Sequence, residues 1–178
     1  MQVRTLFTVG VLAAGVITLS ACGGSGSSVS SAAQAKMQRE ANLYEIDQIE
    51  RKFHEAGSTH NVNLMMSLWA RGATFNLGGQ TYTGKAEIRR FFAQENPVFQ
   101  AANHWVSDTP SYKIKITLTG DPDKAQLHME CDFIDLKTGE VKAAVVVDHN
   151  LQKINGKWLI VTGSGAPGGT GTPAVYSQ

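Results

Sequence analysis

One strand-like segment places three titratable side chains on a single face. His128, Glu130 and Asp132 alternate with apolar residues, and residues two apart project from the same side of a β-strand. An imidazole with two carboxylates is a ligand set that suits zinc. The same alternation is also typical of the solvated face of an antiparallel strand. We expect the solvated face, with no metal and no cofactor, and Cys131 as a small buried filler on the opposite face.

A second imidazole stands in an apolar pattern. His149 is in phase with Val145 and Val147, so it projects from the apolar face of its strand. A histidine in such a place is usually satisfied by a neighbouring backbone group. The alternative is contact with a ligand or proton transfer, for which imidazole is suited near neutral pH. Asp148 points the other way, so the two residues cannot form a direct pair.

The start of the chain indicates export. Arg4 leads into an apolar run over residues 6–17, which closes with Leu-Ser-Ala before Cys22. The run is too short to cross a bilayer and is typical of a cleaved secretory signal. A cysteine after Leu-Ser-Ala resembles the bacterial lipobox, which implies a diacylglycerol on that thiol. We expect a lipoprotein signal peptide over residues 1–21 and a lipid anchor in the cell envelope, facing the periplasm or the cell surface. An ordinary signal with a chance cysteine is the alternative.

Composition bounds the partners and the number of domains. Without the signal the chain has equal numbers of basic and acidic residues and no Lys/Arg block, so nucleic acid is not an expected partner. With the first cysteine lipidated, Cys131 has no partner for a disulfide, and stability must come from an ordinary core. We expect a Gly/Ser-rich linker over residues 22–34, one domain over 35–164 and a flexible tail over 165–178.

Apolar periodicity predicts a long first helix. Ile46, Ile49 and Phe53 recur at steps of three and four within residues 35–57, as one buried helical stripe requires. We expect Glu50, like the other charged residues of this segment, to face water.

Two shorter helices and a sheet follow. Asn61 can cap a second helix that stops at Gly72, and Gly78-Gly79 signals a hairpin of two brief strands. A third helix is predicted over residues 85–94. The remaining strands are predicted over 104–119 with a break at Pro110, and over 126–136, 141–154 and 158–163. Helices followed by an antiparallel meander indicate an α+β fold in which the helices cover one face of the sheet.

This order of elements resembles the SnoaL-like branch of the nuclear transport factor 2-like superfamily. The resemblance rests on the Gly-x-x-x-Ile-x-x-Phe-Phe motif of residues 84–92 and the Asn-Gly-Lys-Trp motif of residues 155–158, and it covers roughly residues 44–162. It implies a cone, in which three N-terminal helices pack on a strongly curved, mostly antiparallel sheet that opens at one end to a pocket. Members of the superfamily include enzymes and binding modules, so the fold alone does not settle the function.

The resemblance also implies a catalytic position. His104 stands where ring-dehydratase-like members carry a catalytic histidine at the start of the third strand. Those relatives pair it with a Tyr and an Asp in the first helix, and an ungapped match places Phe53 and Ser58 there, neither of which is a base at neutral pH. A shift by one residue would bring in His54 or Glu55, but the apolar stripe favours Phe53 as the inward residue.

Three functions compete on these observations. The leading hypothesis is an exported lipoprotein that holds a small apolar or amphipathic molecule in its cone without catalysis, with Trp69, Tyr82 and Trp105 as ligand contacts. The rival is a cofactor-independent lyase or isomerase acting on a cyclic hydroxylated substrate, with His104 as general acid-base and His149 as helper. The third is a protein-interaction module of the envelope. The resemblance also makes a homodimer plausible.

Overall fold

The computed structural model describes residues 30–168 of the 178-residue chain. These residues form three α-helices and a single seven-stranded sheet. Within this range no helix is both long and apolar enough to cross a membrane. The predicted signal peptide and Cys22 lie outside the described residues, so export and lipidation stay predictions.

The first helix, α1, spans Ser31–Ser58 and begins within the predicted linker. Ser30 caps it, because its side chain accepts a hydrogen bond from the Ala33 amide at 3.3 Å. Glu50 is only 5% exposed, so the prediction that it faces water is wrong. The buried face is wider than one apolar stripe because α1 contacts both the second helix and the third strand. Its buried positions include 46, 49, 50, 53, 54 and 57.

The second helix is shorter than predicted. Helix α2 spans Val62–Ser67, and strand β1 follows at once over Trp69–Leu77. The prediction of a helix up to Gly72 is therefore wrong. The Ile160 amide donates to the Leu68 carbonyl at 2.8 Å, and pairing with a distant strand takes over the backbone groups that would have continued the helix.

The hairpin and third helix lie close to their predicted places. Strand β2 covers Gln80–Thr83 and pairs with β1 across two glycines in the left-handed region, Gly78 at φ 59° and Gly79 at φ 83°. Helix α3 spans Gly84–Arg90 and continues as a π-helical turn over Phe91–Glu95. A short 3-10 turn over Pro97–Phe99 ends this part of the chain.

The remaining described residues are mainly strand, as predicted, with a 3-10 turn over Ser111–Lys113. The strands are β3 (Trp105–Asp108), β4 (Ile114–Leu118), β5 (Lys124–Asp135), β6 (Val141–Ile154) and β7 (Lys157–Pro167). The predicted break at Pro110 separates β3 from β4. Strand β7 runs past the predicted domain end at residue 164, so residues 165–167 belong to the sheet rather than to a flexible tail.

The sheet order is β2-β1-β7-β6-β5-β3, with β4 pairing beside β3 on the same edge of β5. Among the strands of residues 30–168, β1 and β7 pair in parallel and the other pairs are antiparallel. Register shifts in the β5–β6 and β6–β7 pairs add local bends. The predicted α+β architecture, with three helices on a curved, mostly antiparallel sheet, is confirmed.

Candidate functional site

An apolar cavity of about 270 Å³ lies between the helices and the inner face of the sheet. Glu95 and Pro97 belong to its wall and are exposed, so one end of the cavity reaches the surface. The aromatic members of the wall include Phe53, Phe75, Phe92, Phe99, Trp105 and Phe133. The volume exceeds the roughly 150 Å³ of a cavity that holds benzene and falls below most drug-sized pockets, which begin near roughly 300 Å³. The space suits a molecule of one or two rings.

The π-helical turn shapes the aromatic wall. A π turn adds a residue to the helical turn and changes which side chains face inward, and both Phe91 and Phe92 are buried. Phe92 packs edge-on against Phe53, with ring centroids 6.3 Å apart, and against Phe99 at 5.2 Å. These contacts fix the rings in geometries that aromatic pairs favour. The wall is therefore held in place by its own members.

A charged group marks the open end. Tyr82 Oη donates a hydrogen bond to Glu95 Oε2 at 2.7 Å, and Arg90 Nε lies 3.4 Å from Glu95 Oε1. The hydrogen bond to this carboxylate, followed by burial, raises the pKa of Tyr82. The mouth of the cavity thus presents polar groups beside an apolar interior.

A buried polar group of five side chains, which we call the His54 cluster, lies against one side of the cavity. His54 Nδ1 lies 2.6 Å from Ser107 Oγ, and His54 Nε2 lies 2.8 Å from Thr109 Oγ1 and 3.2 Å from Glu50 Oε1. Cys131 Sγ completes the cluster at 3.9 Å from Nε2. His54 is 7% exposed. Both ring nitrogens of His54 therefore have polar partners inside the protein and are shielded from water.

Helix α1 and strand β3 build the His54 cluster. Glu50 and His54 are four residues apart, which places them one above the other on the same helix face. Ser58, at the end of α1, accepts a hydrogen bond from the Ser107 amide at 2.9 Å and donates one to the Ser107 carbonyl at 3.3 Å. These two hydrogen bonds between helix and strand hold Ser107 beside the imidazole.

Only two members of the His54 cluster belong to the cavity wall, Ser107 and Cys131. Burial raises the pKa of the Cys131 thiol to about 12, so the thiol stays protonated and is a poor nucleophile. As predicted, Cys131 is a buried filler. Ser107 is thus the polar link between the cavity and the imidazole.

His149 has the opposite environment. It is 2% exposed, and neither ring nitrogen has a hydrogen-bond partner among residues 30–168, so the prediction that a backbone group satisfies it is wrong. Strand β6 is paired on both sides at this point, with Leu127 and with Gly163, and the ladders use the nearby backbone groups. The ring packs instead on Phe53 and Trp69, at centroid distances of 5.4 and 5.6 Å. Burial lowers the pKa of His149 to about 3.

The structure does not bring His104 and His149 together. His104 is exposed, and its carbonyl accepts a hydrogen bond from Leu136 at 3.2 Å. His149 pairs with Leu127, nine residues before Leu136, which corresponds to about 30 Å along a strand. Trp105 and Ser107 line the cavity, and His104 does not. Neither imidazole is part of the cavity wall, and their catalytic roles stay untested predictions.

The three predicted ligand contacts separate into two layers. Trp105 belongs to the cavity wall, whereas Trp69 and Tyr82 do not. Trp69 is fully buried behind Phe75, at a centroid distance of 5.5 Å, and Tyr82 packs on Phe91 at 4.8 Å. Trp69 and Tyr82 therefore support the wall from behind.

The sequence analysis did not identify Glu50, His54 and Ser107 as a group. A usable signal was present in the spacing. Counted from Ile46, Glu50 and His54 occupy the i+4 and i+8 positions, which lie beside the stripe of Ile49 and Phe53 on a wide buried helix face. Nothing in the local sequence of β3 indicates that Ser107 would meet them.

A larger concavity of about 770 Å³ lies on the other face of the sheet and has a mainly polar lining. His128 Nδ1 lies 2.8 Å from Asp148 Oδ1 within it, and Lys113 pairs with Glu130 at 3.3 Å and Asp132 at 4.0 Å. Of the candidate zinc ligands of the sequence, Glu130 and Asp132 thus pair with Lys113, and His128 contacts Asp148. Among residues 30–168 no group of three or more His, Cys, Asp and Glu side chains could hold a metal.

The sequence matches a family model, and the fold matches solved structures. The family model described as "SnoaL-like domain" matches residues 41–162, while none of the curated proteins matches the chain. A nuclear transport factor 2-like protein with a cystatin-like fold from Novosphingobium aromaticivorans is similar in structure, with a TM-score of 0.66 and 15% identity over 82% of this chain and 94% of that chain.

Two further solved structures are similar. A protein of unknown function with a cystatin-like fold from Nostoc punctiforme has a TM-score of 0.62 and 17% identity, over 72% of this chain and 92% of that chain. The hexachlorocyclohexane dehydrochlorinase LinA-type3 from Novosphingobium barchaimii has a TM-score of 0.62 and 14% identity, over 80% and 99%. At such identities the likeness shows the fold alone. Because the family match spans more than half of the sequence, the chain belongs to the SnoaL-like domain family of the nuclear transport factor 2-like superfamily.

Proposed function

We propose that this protein binds a small apolar or amphipathic molecule of one or two rings in its cone cavity. Membership of the SnoaL-like domain family is compatible with ligand binding and with dehydratase- or isomerase-type chemistry. The observation that carries the proposal is the 270 Å³ cavity, with an aromatic interior and the polar group Glu95 at its open end. Recessed apolar surface with a few placed polar groups is the usual form of a small-molecule site.

The interior and the mouth select different parts of the ligand. Phe53, Phe92 and Trp105 offer ring faces and edges to an apolar body. Glu95 is held by Tyr82 and Arg90, so its carboxylate is fixed rather than free to turn inward. A molecule with an apolar ring system and a hydroxyl or amine at one end fits both regions. His104 faces no part of this cavity, and the proposal does not depend on it.

Thermal unfolding with a panel of one- and two-ring molecules tests the proposal. A ligand that binds only the folded state stabilises it by about 2.7 kcal/mol at a concentration of 100 Kd. We expect the melting temperature to rise with ligand concentration for ring compounds that carry a single polar end. The absence of a shift with every member of the panel contradicts the proposal.

A matched pair of substitutions assigns the binding to the cavity. Ala143 belongs to the wall, and Lys142, the preceding residue on β6, is exposed. Ala143→Phe fills part of the cavity and is expected to remove the shift, whereas Lys142→Phe introduces the same ring outside the cavity and is expected to preserve it. Equal ligand shifts in the two variants would place the binding elsewhere.

We also propose that the domain works outside the cytoplasm on a lipid anchor at Cys22. The support is the short apolar run and the Leu-Ser-Ala-Cys order that closes it. Growth of an expressing bacterium with an alkyne-bearing fatty acid should label the wild-type protein and should not label Cys22→Ser. Labelling of that variant, or none in the wild type, contradicts the anchor without affecting the proposal for the cavity.

A further inference from the structure

Three side chains of the His54 cluster lie in a row that starts at the cavity, and the proposed ligand binding does not require this arrangement. Ser107 belongs to the cavity wall, His54 lies behind it, and Glu50 lies on the far side of the imidazole. His54 Nδ1 lies 2.6 Å from the Ser107 hydroxyl, and Nε2 lies 2.8 Å from the Thr109 hydroxyl and 3.2 Å from the Glu50 carboxyl. A hydroxyl, an imidazole and a carboxyl in hydrogen-bond contact are the parts of an activated nucleophile.

The donors and acceptors of these groups set the direction of the hydrogen bonds from Ser107 through His54 to Glu50. A carboxylate accepts hydrogen bonds and cannot donate them, so with Glu50 as a carboxylate we assign the ring proton to Nε2, which donates toward Glu50 and the Thr109 oxygen. Nδ1 is then free to accept from the Ser107 hydroxyl. This tautomer leaves the nitrogen beside Ser107 able to take its proton. Which ring nitrogen donates and which accepts is thus decided by the partner that each one faces.

We propose that Ser107 is a nucleophile toward small apolar esters, with His54 as its general base and Glu50 as the residue that positions the imidazole. The proposal rests on the proposed function in one respect, since the ester must enter the same cavity. Nothing in the binding of a ligand requires this chemistry.

The reaction balances with water as the only co-reactant. The Ser107 oxygen forms a bond to the ester carbonyl carbon, its proton passes to His54 Nδ1, and the bond to the leaving alkoxide breaks. His54 returns the proton to the alkoxide, which departs as an alcohol. Water then attacks the acyl carbon, gives one proton to His54, and the acid leaves as Ser107 recovers its proton. The sum is ester plus water to acid plus alcohol.

The surroundings favour Ser107 over the thiol of Cys131 as the nucleophile, and they limit the rate of ester hydrolysis. Cys131 also lines the cavity, but burial raises its pKa to about 12, so thiolate is scarce. The Ser107 amide donates to Ser58 at 2.9 Å and therefore cannot stabilise negative charge on the reacting oxygen. We expect slow turnover that is confined to esters with good leaving groups, such as p-nitrophenyl esters of short acids.

Covalent labelling of the wild-type protein is the direct test. A small dialkyl fluorophosphate forms a bond from its phosphorus to the serine oxygen and releases fluoride, while the proton goes to the base. We expect one adduct per chain, located at Ser107 by peptide mass spectrometry. Ser107→Ala should lose the adduct and keep its far-ultraviolet circular dichroism, whereas Ser111→Ala, at an exposed serine, should label normally.

Substitutions of the supporting residues test their roles. His54→Gln is expected to lower the labelling rate by at least about 100-fold. Glu50→Gln should lower the rate and also move the pH of half-maximal labelling downward, because a carboxylate beside an imidazole favours its protonated form. Within residues 30–168, Glu50 and Cys131 are the titratable groups in contact with His54. An unchanged half-maximal pH in Glu50→Gln overturns the role of Glu50.

A fluorescent cavity dye separates this proposal from the binding function. The dye 1-anilinonaphthalene-8-sulfonate reports cavity occupation, and displacement of the dye by the fluorophosphate shows that the reagent has entered. The absence of an adduct at Ser107 contradicts its role as a nucleophile, whether or not the reagent displaces the dye. If the reagent displaces the dye without labelling Ser107, the binding function survives alone. If no ligand binds at all, both proposals fail together.

Discussion

The two buried histidines show how differently one fold can treat the same side chain. His54, in the last turns of α1, has a partner on each ring nitrogen, whereas His149, in the middle of β6, has none within the described part of the chain. Both are more than nine-tenths buried. The cause is the backbone around them. Helix α1 meets β3 through side chains, which supplies Ser107 to the imidazole, whereas β6 is enclosed by two paired strands.

This difference decides which of the two imidazoles we associate with the proposed chemistry. A partnered imidazole can pass a proton without leaving its place, because its neighbours stabilise both charge states. An imidazole among Phe53, Trp69 and Gly163 can only stay neutral, because burial without a partner disfavours the charged form. We therefore place potential reactivity at the His54 cluster and assign His149 to the core.

The largest effect should be acid destabilisation through His149. Its pKa is lowered to about 3 in the folded protein by burial, which the nearby Asp148 only partly offsets, and it is about 6.5 in an unfolded chain. The unfolded state thus binds the proton first, so stability is complete above pH 6.5 and falls as the pH drops toward 3. The loss is about 1.4 kcal/mol for each pH unit in this window.

Urea unfolding at several pH values measures this loss, and His149→Leu isolates it from the titration of carboxylates. The variant should show a flatter decline of stability between pH 6.5 and pH 4 than the wild type. Parallel pH profiles for the two proteins would mean that His149 gains a proton without penalty, and the contrast with His54 would disappear.

The next effect should come from His54→Leu. The substitution leaves Glu50 buried without its imidazole and removes a partner from Ser107 and Thr109. Leaving a buried polar group without its hydrogen-bond partner costs about 1 to 3 kcal/mol, and more for a charged group, so we expect a loss of about 3 kcal/mol for the three groups together. Glu55→Leu, at an exposed position of the same helix, should change stability by less than about 0.5 kcal/mol. Equal stabilities of these variants would show that the His54 cluster contributes nothing to folding.

The elements could be predicted from the sequence more fully than the site. The stripe of Ile46, Ile49 and Phe53 was sufficient for α1, and the alternation in β5 and β6 was sufficient for their faces. The end of α2 was not predictable, because pairing with β7 decides it and that strand lies about ninety residues away. The His54 cluster was missed for a similar reason. It joins α1 to β3 and β5, and no local pattern records that meeting.

A smaller effect should follow from Gly163→Ala. A Cβ at residue 163 would lie 2.8 Å from His149 Cδ2 and 2.8 Å from Trp69 Cη2, closer than van der Waals contact allows. Overpacking of this kind costs about 1 to 3 kcal/mol. Gly72→Ala is the matched control, because a Cβ there meets nothing within 4 Å. Calorimetry should show a lower melting temperature for the first variant alone, and equal values would mean that the core around His149 yields easily.

The smallest effect has the opposite sign from that at His54. At pH 7, His149→Leu replaces two unpartnered ring nitrogens with an apolar side chain of similar size. Because no hydrogen bond is lost and the desolvation of two polar atoms is relieved, we expect the free energy of unfolding to rise by about 1 kcal/mol. Urea midpoints at constant slope measure it. Destabilisation similar to that of His54→Leu would mean that the His149 ring has a stabilising partner, and the two imidazoles would then be alike.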